Sequence, residues 1–519
     1  MQVEVNERRG GSGGGPWGRR RRWGVVVVGW GVIGAGLMLG GCRSPLDRES
    51  AGVSSRIAKE AGRGWGSASG RGEVSGSGGG VGDAGLGVLP LEVEGWVALA
   101  LERHPGLRAA AQRVVRLEQR GPQVSAWEDP MLRVVPIGEQ AETAAGRVLW
   151  QASVSQSLPL PGKLEARSAM AARDAAAARM RWSAMRLEVA ADVRRAYWSL
   201  RYAQRAAAVV RRDRELLEQF REVAEAKYRA GTAQQKDVLR AQVELAGVED
   251  RLLGLEQQRV SSGGMLNRMV ARRIDAPLPE LDAEDAGSGG ARSGGAGAEA
   301  ERLPSDLAGW LSAAEGHPRL AALREQAGRY RAQRRLAELE RWPDLTVSLN
   351  YNAVDDEGLA VMANGDDQWF VGLGISLPLW QGKREAAERE ALAGFYEATA
   401  MLRDEQHQLA FEVRDAWSRV EAQRRTLELF EQRMLPDAEQ AVAAAESSYR
   451  AGGSDFLALI DNWRRLTGLR LTYEQAATQL QKDLADLRRA AAWSAAGDEP
   501  TEEAGGVRGA GSDLDMERR

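Results

Sequence analysis

Residues 345–352 read Leu-Thr-Val-Ser-Leu-Asn-Tyr-Asn, with an apolar side chain at every odd position and a polar one at every even position. A period of two is typical of a β-strand with one apolar and one polar face. The same alternation recurs over residues 150–158 and 369–377, whereas residues 131–135 alternate poorly and are followed by Pro136. The sequence therefore predicts four strands in two pairs, in which the alternating strands have one apolar and one polar face.

Such strands fit either a soluble sheet packed on a core or a membrane barrel, and three observations favour the barrel. The helical segments around them carry no broad apolar face that could cover a sheet. Two of the strands approach the length, about 9–11 residues, that crosses a bilayer. Trp150, Trp369 and Trp380 lie near strand ends, as in an aromatic girdle. Because four strands cannot close a barrel and an open edge is costly in lipid, copies must share it: two give eight strands, and three give twelve strands and a lumen.

Two very long helices are predicted after the strand pairs. Residues 163–229 contain no Pro, are dominated by Ala, Arg, Glu and Leu, and place apolar side chains on one stripe. At about 1.5 Å per residue, such a helix is roughly 100 Å long. A second helix is predicted over residues 383–450, where Pro436 is expected to kink or interrupt it.

Each long helix is expected to end in a tight turn and to be followed by an antiparallel helix. Gly231 and Gly452 follow the two long helices, and glycine readily adopts the left-handed conformation of a helix end. The return helices are predicted over residues 236–270 and 455–492. The result is a pair of coiled-coil hairpins, much longer than the core of an ordinary domain requires.

The chain contains two copies of one unit, because four short motifs occur twice in the same order at nearly constant spacing. They are His104-Pro105 and His317-Pro318, Ser157–Leu160 and Ser376–Leu379, Gly162-Lys163 and Gly382-Lys383, and Tyr228–Gly231 and Tyr449–Gly452. Each unit is predicted to contain a helix, two strands, a very long helix, a turn and a helix. The expected organisation is a signal peptide (1–41), a flexible tether (42–88), a first repeat (89–285), a Gly-rich linker (286–299), a second repeat (300–494) and a disordered tail (495–519).

The N-terminal region has the organisation of an export signal. Arg19–Arg22 precede an uncharged apolar stretch over residues 23–39, which ends at Gly40-Gly41-Cys42. The small residues before Cys42 resemble the lipobox of bacterial lipoproteins, and that resemblance implies cleavage before Cys42 and its acylation, which would anchor the protein without a transmembrane helix. An uncleaved signal anchor with an idle thiol is the alternative, and the arginine run leaves open whether export follows the Sec or the twin-arginine route.

Composition excludes several classes of protein. With 70 Lys and Arg against 73 Asp and Glu, the net charge of −3 argues against binding nucleic acid. One Cys rules out a disulfide framework and a multi-Cys metal site, and three His far apart in sequence argue against a His-based metal cluster. The sequence has no phosphate-binding loop, nucleophile elbow or plausible catalytic constellation, so neither an enzyme nor a cofactor is expected. The mean hydropathy of −0.40 excludes a polytopic helical membrane protein.

Over residues 91–492 the chain resembles the outer-membrane efflux protein (TolC) family. The Leu-Pro-Leu…Gly-Lys junctions and the Tyr-Arg-Ala-Gly turns, followed by Asp237-Val238-Leu239 and Asp455-Phe456-Leu457, carry the resemblance. The run Leu158–Leu164 and the start Asp129–Leu132 look more like the heavy-metal efflux subgroup than the drug subgroup. A periplasmic coiled-coil adaptor or scaffold without a pore is the alternative, although such a protein would not need the alternating strands.

The resemblance implies an α+β membrane protein, a homotrimer with a twelve-stranded barrel in outer-membrane lipid and a periplasmic α-helical barrel. Such a duct passively conducts small molecules or metal cations that it receives from an inner-membrane, proton-driven pump through a periplasmic adaptor. The chain would be both lipid-anchored and barrel-spanning, and it would hydrolyse nothing.

The resemblance also assigns site residues at the periplasmic tip, where the Gly231 and Gly452 turns would lie. Asp461 corresponds by its place in the motif to the inner gate acid of the family, and Ala458 stands where some members have a second acid. Three copies of Asp461 would ring the pore axis and favour cations. An ordinary solvated helix residue is the alternative role for Asp461.

Four further residues are assigned to the tip or to contact with the adaptor. Tyr228 and Tyr449 either hold the tip through neighbouring helices or serve only in packing. Asp237 and Asp455 are expected at equivalent positions of the two repeats, with helix capping as their alternative role. His104 and His317, each before a Pro at a predicted helix start, are interpreted as structural.

Overall fold

The computed structural model describes residues 89–137, 142–143, 145–281, 304, 306–355, 365–451, 453 and 455–493. Cys42 and Gly452 lie outside the described residues, as do the predicted signal peptide, tether, Gly-rich linker and terminal tail. In the described part, both repeats have the predicted order of elements, including the strands that a pore-free scaffold would not need.

The elements of the first repeat are helices α1 to α3, strands β1 to β3, and the long helices α4 and α5. Their bounds are Val93–Arg103, Pro105–Glu118, Arg120–Ser125, Met131–Pro136, Glu142–Thr143, Gly146–Leu158, Lys163–Arg229 and Gln235–Met269. The second repeat consists of α6 and α7, β4 and β5, and α8 to α10. Their bounds are Leu307–Ala314, Pro318–Leu339, Leu345–Asp355, Gln368–Ile375, Gln381–Leu429, Leu435–Ala451 and Phe456–Ala490.

Helix α4 begins and ends at the predicted residues and contains 67 residues. Its end has the hydrogen-bond pattern of a left-handed helix stop. Gly231 has a φ of +74°, and its N–H donates to the Tyr228 carbonyl at 2.9 Å. The Thr232 N–H donates to the Lys227 carbonyl, also at 2.9 Å. The prediction for Gly231 is therefore confirmed.

The second long helix is interrupted, as Pro436 predicts. A single π-helical turn, Phe430–Met434, separates the 49 residues of α8 from the 17 residues of α9. A proline ring has no N–H and clashes with the carbonyl four residues earlier, here that of Gln432. The π-helical turn contains Gln432, so it lies where this clash has to be relieved.

The four long strands form one antiparallel sheet in the order β1-β3-β4-β5, with the short β2 paired to β3. One apolar row crosses all four strands through Leu132, Val154, Leu349 and Val371. These side chains are 45–68% exposed, so no part of the described chain covers this face. On the other face, polar residues dominate on β3 and β4, where Ser153 is opposite Asn350 and Ser155 is opposite Ser348.

Aromatic side chains lie at both ends of the sheet. Trp150 and Trp369 lie near the end farthest from the long helices, where the Trp150 ring is 5.3 Å from the ring of Tyr351. Trp342 and Trp380 are exposed beside the opposite end, just before β4 and just after β5. Two aromatic belts that flank an apolar face are typical of a lipid-facing sheet.

The two repeats are joined beside the sheet through a buried lysine. Lys163, the first residue of α4, is only 3% exposed. Its Nζ donates to Asp344 Oδ1 and to the Trp342 carbonyl, each at 2.8 Å. The backbone N–H of Leu160 donates to the same Asp344 oxygen at 2.8 Å. This cluster, the Lys163–Asp344 junction, holds the start of α4 against the start of β4.

In the described part of the chain, the helices enclose three buried clusters. The first is around Trp96, Tyr197 and Leu266, the second is around Phe456 and Trp463, and the third is around Trp310, Val413 and Leu487. The second cluster lies where α4, α5, α9 and α10 meet near the turns. None of the helices described is both long enough and apolar enough to cross a membrane.

Candidate gate at the helical tip

The tip is built where α4 turns into α5 and α9 is followed by α10. Phe220, Phe456 and Trp463 fill its interior and are almost completely buried. Phe220 belongs to α4, and Phe456 and Trp463 belong to α10, so their packing fixes these two helices against one another. The candidate gate residues are positioned by this rigid cluster.

Tyr449, near the end of α9, is a packing residue of the tip. It is 4% exposed, and its ring centroid is 5.3 Å from that of Phe456. Lys227 Nζ lies 4.4 Å from the ring centroid and also donates to the Tyr449 carbonyl. Burial, together with the carboxylates of Asp237 and Asp455, raises the pKa of Tyr449 to about 12. The hydroxyl has no hydrogen-bond partner among the described atoms.

Tyr228, the repeat counterpart of Tyr449, has a different environment. Its side chain is 47% exposed on the last turn of α4. The two tyrosines therefore do not play the same part, although the motif around them is identical. Tyr228 is open to a partner, and Tyr449 is not.

The expected equivalence of Asp237 and Asp455 is wrong. Asp455 is the N-cap residue of α10, whereas Asp237 is the third residue of α5, after the N-cap residue Gln234. The spacing between the two Tyr-Arg-Ala-Gly turns persists through the helix starts, so Ala458 is the counterpart of Asp237. The Asp455 side chain makes no cap hydrogen bond, and Asp237 is buried with one unpartnered carboxylate oxygen.

Asp461 lies on the exposed face of α10. Its side chain is 56% exposed, and Leu457 and Ala458 lie on the same exposed face. Arg464, one turn further along, approaches Asp461 Oδ1 with its Nη1 at 3.3 Å. The second Nη of Arg464 binds Glu244 of α5. These carboxylates, Glu244 foremost, raise the pKa of Arg464 above its usual range.

The tip therefore has an accessible carboxylate, that of Asp461, which is paired with Arg464 on the same helix. An exposed ion pair contributes at most about 1 kcal/mol, so Arg464 can leave Asp461 at low cost. The Asp461 carboxylate is then free to interact with solutes at the exposed face of α10. No group of three His, Cys, Asp or Glu side chains suited to a metal ion occurs among the described residues.

Sequence reasoning missed three residues of the tip: Lys227, Glu244 and Arg464. Arg464 could have been found, because it follows Asp461 by three residues on a predicted helix, the spacing of an ion pair. Lys227 and Glu244 contact partners more than 200 residues away, and no local pattern reports such contacts.

The unpartnered hydroxyl of Tyr449 leads to a first prediction. Replacing Tyr449 with Phe should leave the free energy of unfolding unchanged or raise it, because an unsatisfied buried hydroxyl is removed. Replacing it with Ala should lower that free energy by about 3–5 kcal/mol, because a cavity forms beside Phe456. Chemical denaturation of the purified protein in detergent, followed by circular dichroism, measures both values.

The matched control for this prediction is Tyr228→Ala, which removes the exposed counterpart. We expect the free energy of unfolding to change by less than about 1 kcal/mol there, because the half-exposed Tyr228 side chain buries little apolar surface. If Tyr449→Phe destabilised the protein as much as Tyr449→Ala, the hydroxyl would have a partner and the interpretation would be wrong.

Comparison with protein families identifies one match, which covers both repeats. The model described as "Outer membrane efflux protein" matches residues 96–271 and 311–492. Among curated proteins, the cobalt-zinc-cadmium resistance protein CzcC of Cupriavidus metallidurans is 26% identical over 414 residues. That alignment covers 76% of this chain and 90% of CzcC.

Three solved structures illustrate the similarity of fold. The outer-membrane channel OprN superposes with a TM-score of 0.63 at 19% identity, covering 78% of this chain and 90% of its own. CusC superposes with a TM-score of 0.63 at 15% identity, and the match covers 77% of this chain and 91% of CusC. The outer membrane protein VceC of Vibrio cholerae superposes with a TM-score of 0.61 at 20% identity, and the match covers 77% of this chain and 95% of VceC. The long helices and strand pairs are thus those of a known channel architecture.

Proposed function

The chain belongs to the outer membrane efflux protein family, and we propose that it works as a homotrimer, the exit duct through which a periplasmic adaptor and a proton-driven inner-membrane pump deliver their cargo. It is an outer-membrane efflux channel of a tripartite system, with a helical portion in the periplasm, and not an enzyme. The duct conducts passively, and the pump supplies the energy. The observation that carries the trimer is an uncovered apolar sheet that one copy cannot close.

The open edges of the sheet support a shared barrel. Among the described strands, β1 and β5 each pair on one side only. Unpaired backbone groups in hydrocarbon cost several kcal/mol each, so β5 of one copy pairs with β1 of the next. Three copies give twelve strands and leave room for a lumen, whereas two copies give eight strands and a filled interior.

A stripe on α5 supports the same assembly in the helical portion. Leu239, Val243, Ala246, Leu253 and Val260 recur at heptad spacing, and all five are exposed in one copy. Such a stripe is typical of a helix seam that packs against another helix. In the trimer the neighbouring copy covers it.

Asp461 is proposed as the gate acid, three copies of which ring the pore. Asp461→Asn should raise single-channel conductance in planar bilayers and lower the cation-over-anion permeability ratio severalfold, because negative charge is removed from the narrowest point. Arg464→Gln should change the permeability ratio in the opposite direction, because it leaves the carboxylate without its counter-charge.

Asp275→Asn is the control for the gate prediction, since Asp275 is an exposed acid beyond the far end of α5. It should leave both conductance and selectivity as in the wild type. Unchanged conductance and selectivity in Asp461→Asn would refute the gate role. A complete lack of channels in the wild type would refute the pore itself.

At the tip, Tyr228 and Gly231 are proposed as contacts for the adaptor, together with Gly452 and the exposed Asp455. Tyr228 and Asp455 are accessible in the described structure. Tyr449 and Asp237 support this surface from beneath, because both are buried.

Lipid anchoring through Cys42 is also proposed. The support is the position of the one Cys of the chain, directly after an apolar segment that ends in small residues. Growth with radioactive palmitate should label the wild type and leave a Cys42→Ser variant unlabelled. Equal labelling of both would contradict the proposal.

Heavy-metal cations are the proposed cargo. The support is the relative named for cobalt, zinc and cadmium resistance, together with the Leu158–Leu164 run. A strain that lacks the chain should become sensitive to these metals and regain resistance on complementation. Sensitivity to organic drugs alone would point to the other cargo class.

A further inference from the structure

The Lys163–Asp344 junction occurs once within one copy, but the sequence contains the parts for a second one. Lys163 follows β3, and Asp344 precedes its neighbour β4. In the repeat, Gly382-Lys383 follows β5 as Gly162-Lys163 follows β3. Ahead of β1, Trp127-Glu128-Asp129 stands where Trp342-Pro343-Asp344 stands ahead of β4.

The two halves of this second junction are apart in one copy, because they belong to the two open edges of the sheet. Lys383 and Asp129 are both exposed. Neither makes a hydrogen bond or an ion pair with any described residue. The adjacent Arg384 is already engaged, since its Nε donates to the Glu340 carbonyl at 2.8 Å. Lys383 is thus a cation at this edge that has no partner among the described residues.

Lys383 is also poorly placed for its own helix. It is the third residue of α8, where the partial positive charge of the helix N-terminus disfavours a cation. Lys163 has the same disadvantage at the first position of α4, and there Asp344 supplies the compensating negative charge. A carboxylate from elsewhere would do the same for Lys383.

We propose that Lys383 of one copy binds Asp129 of the next copy in the trimer, with the Trp127 carbonyl of that copy as a second acceptor. This inference rests on the proposed trimer and assigns its contact at the β5–β1 edge. It repeats between copies the contact that Lys163, Asp344 and the Trp342 carbonyl make within one copy.

The register of the strands supports this pairing. Within one copy Leu158 lies opposite Leu345. The same register between copies puts Leu377 opposite Pro130 and Ile375 opposite Leu132. Ile375 and Leu132 both belong to the uncovered apolar face, so the lipid-facing surface continues across the boundary. A shift by one residue would bring polar side chains to that face.

The pair also specifies the direction of assembly. A β5–β1 contact is heterologous and closes into a ring, whereas β5–β5 or β1–β1 contacts would join copies in isolated pairs. Lys383 meeting Lys383, or Asp129 meeting Asp129, brings like charges together. The ion pair therefore favours the ring over both wrong contacts.

The test is a charge exchange in the full-length protein, purified in detergent. Asp129→Lys and Lys383→Asp should each raise the dissociation constant of the trimer roughly 100-fold, as loss of a desolvated interfacial ion pair does. The combined exchange should recover most of the loss. Asp275→Lys, which reverses the charge of an exposed acid beyond the far end of α5, should leave the trimer intact. Mass measurement gives the oligomeric state, and circular dichroism shows that each variant retains its helices.

A second experiment does not depend on the exchanged charges. Chains carrying Asp129→Cys and chains carrying Lys383→Cys are expressed together and treated with a short bismaleimide. A covalent dimer that requires both variants supports the pair. If the wild type is a trimer, the single charge variants remain trimers and no covalent dimer forms, then the Lys383–Asp129 pair is wrong and the trimer stands. A wild type that is folded but monomeric overturns the trimer, and the pair with it.

Discussion

Replacing Lys163 with Met is expected to lower the free energy of unfolding by about 3 kcal/mol. Removing one partner of a buried ion pair costs about 3–5 kcal/mol, because the remaining charge is left without compensation. The lower end applies here, since the Asp344 side chain is still 32% exposed while that of Lys163 is buried. Denaturation by urea in detergent, followed by circular dichroism, measures the loss.

The pKa of Asp344 shows which form of the carboxylate the junction stabilises. Burial alone would raise this pKa, but the hydrogen bonds from Lys163 and from the Leu160 N–H outweigh burial and lower it. The ionised form is therefore the one that the junction stabilises. Losing the ammonium leaves a carboxylate that is partly shielded from water and bound by one N–H.

A double variant separates the ion pair from simple packing. Lys163→Met combined with Asp344→Leu should be more stable than Lys163→Met alone, because no unpaired charge remains. Lys236→Met, at an exposed lysine near the tip, serves as the control and should change stability by less than about 0.5 kcal/mol. A Lys163→Met variant as stable as this control would show that the junction contributes little.

Local patterns in the sequence were sufficient for the elements of the fold. Helix α4 was predicted to the residue, because Gly162 and Gly231 bound a stretch without Pro. Strands β3 and β4 are longer than predicted, because their outer ends pair beyond the alternating residues. Pro436 predicted the interruption of the second long helix but not its form, a π-helical turn.

The candidate site was less predictable, because its contacts join distant segments. Lys163 and Asp344 are 181 residues apart, and no local pattern pairs them. The identical motifs around Tyr228 and Tyr449 gave no sign that one is exposed and the other buried. Asp237 and Asp455 were misaligned because their shared Asp-x-Leu pattern shifts by three residues relative to the helix starts.

His317 is expected to make the helical portion less stable at low pH. Its ring is almost fully buried, accepts the Arg319 N–H at Nδ1, and lies 3.3 Å from the Arg489 carbonyl through Nε2. Burial, with Arg319 nearby, lowers the pKa of His317 to about 4 from its ordinary value of 6.5. Glu412 and the Arg489 carbonyl act in the opposite direction and do not offset this.

The direction of the pH effect follows from the two pKa values. Between pH 6.5 and 4 the unfolded chain binds a proton at His317 that the folded chain does not bind. Stability from the neutral ring is therefore complete above pH 6.5, is lost progressively as the pH falls from 6.5 to 4, and falls no further below pH 4. At about 1.4 kcal/mol per pKa unit, the loss amounts to about 3 kcal/mol.

The measurement compares wild type with His317→Asn over pH 7 to 4, by denaturation in detergent. Asparagine retains an acceptor for the Arg319 N–H at the N-cap but cannot titrate, so the fall in stability should be smaller by about 3 kcal/mol. His104→Asn is the control for the general effect of such a change: His104 makes no side-chain cap, although burial also lowers its pKa. Its effect on the pH dependence should be the smaller of the two, because its ring is less buried. Parallel pH profiles for wild type and His317→Asn would mean that the His317 ring takes up its proton in the folded state as readily as in the unfolded chain.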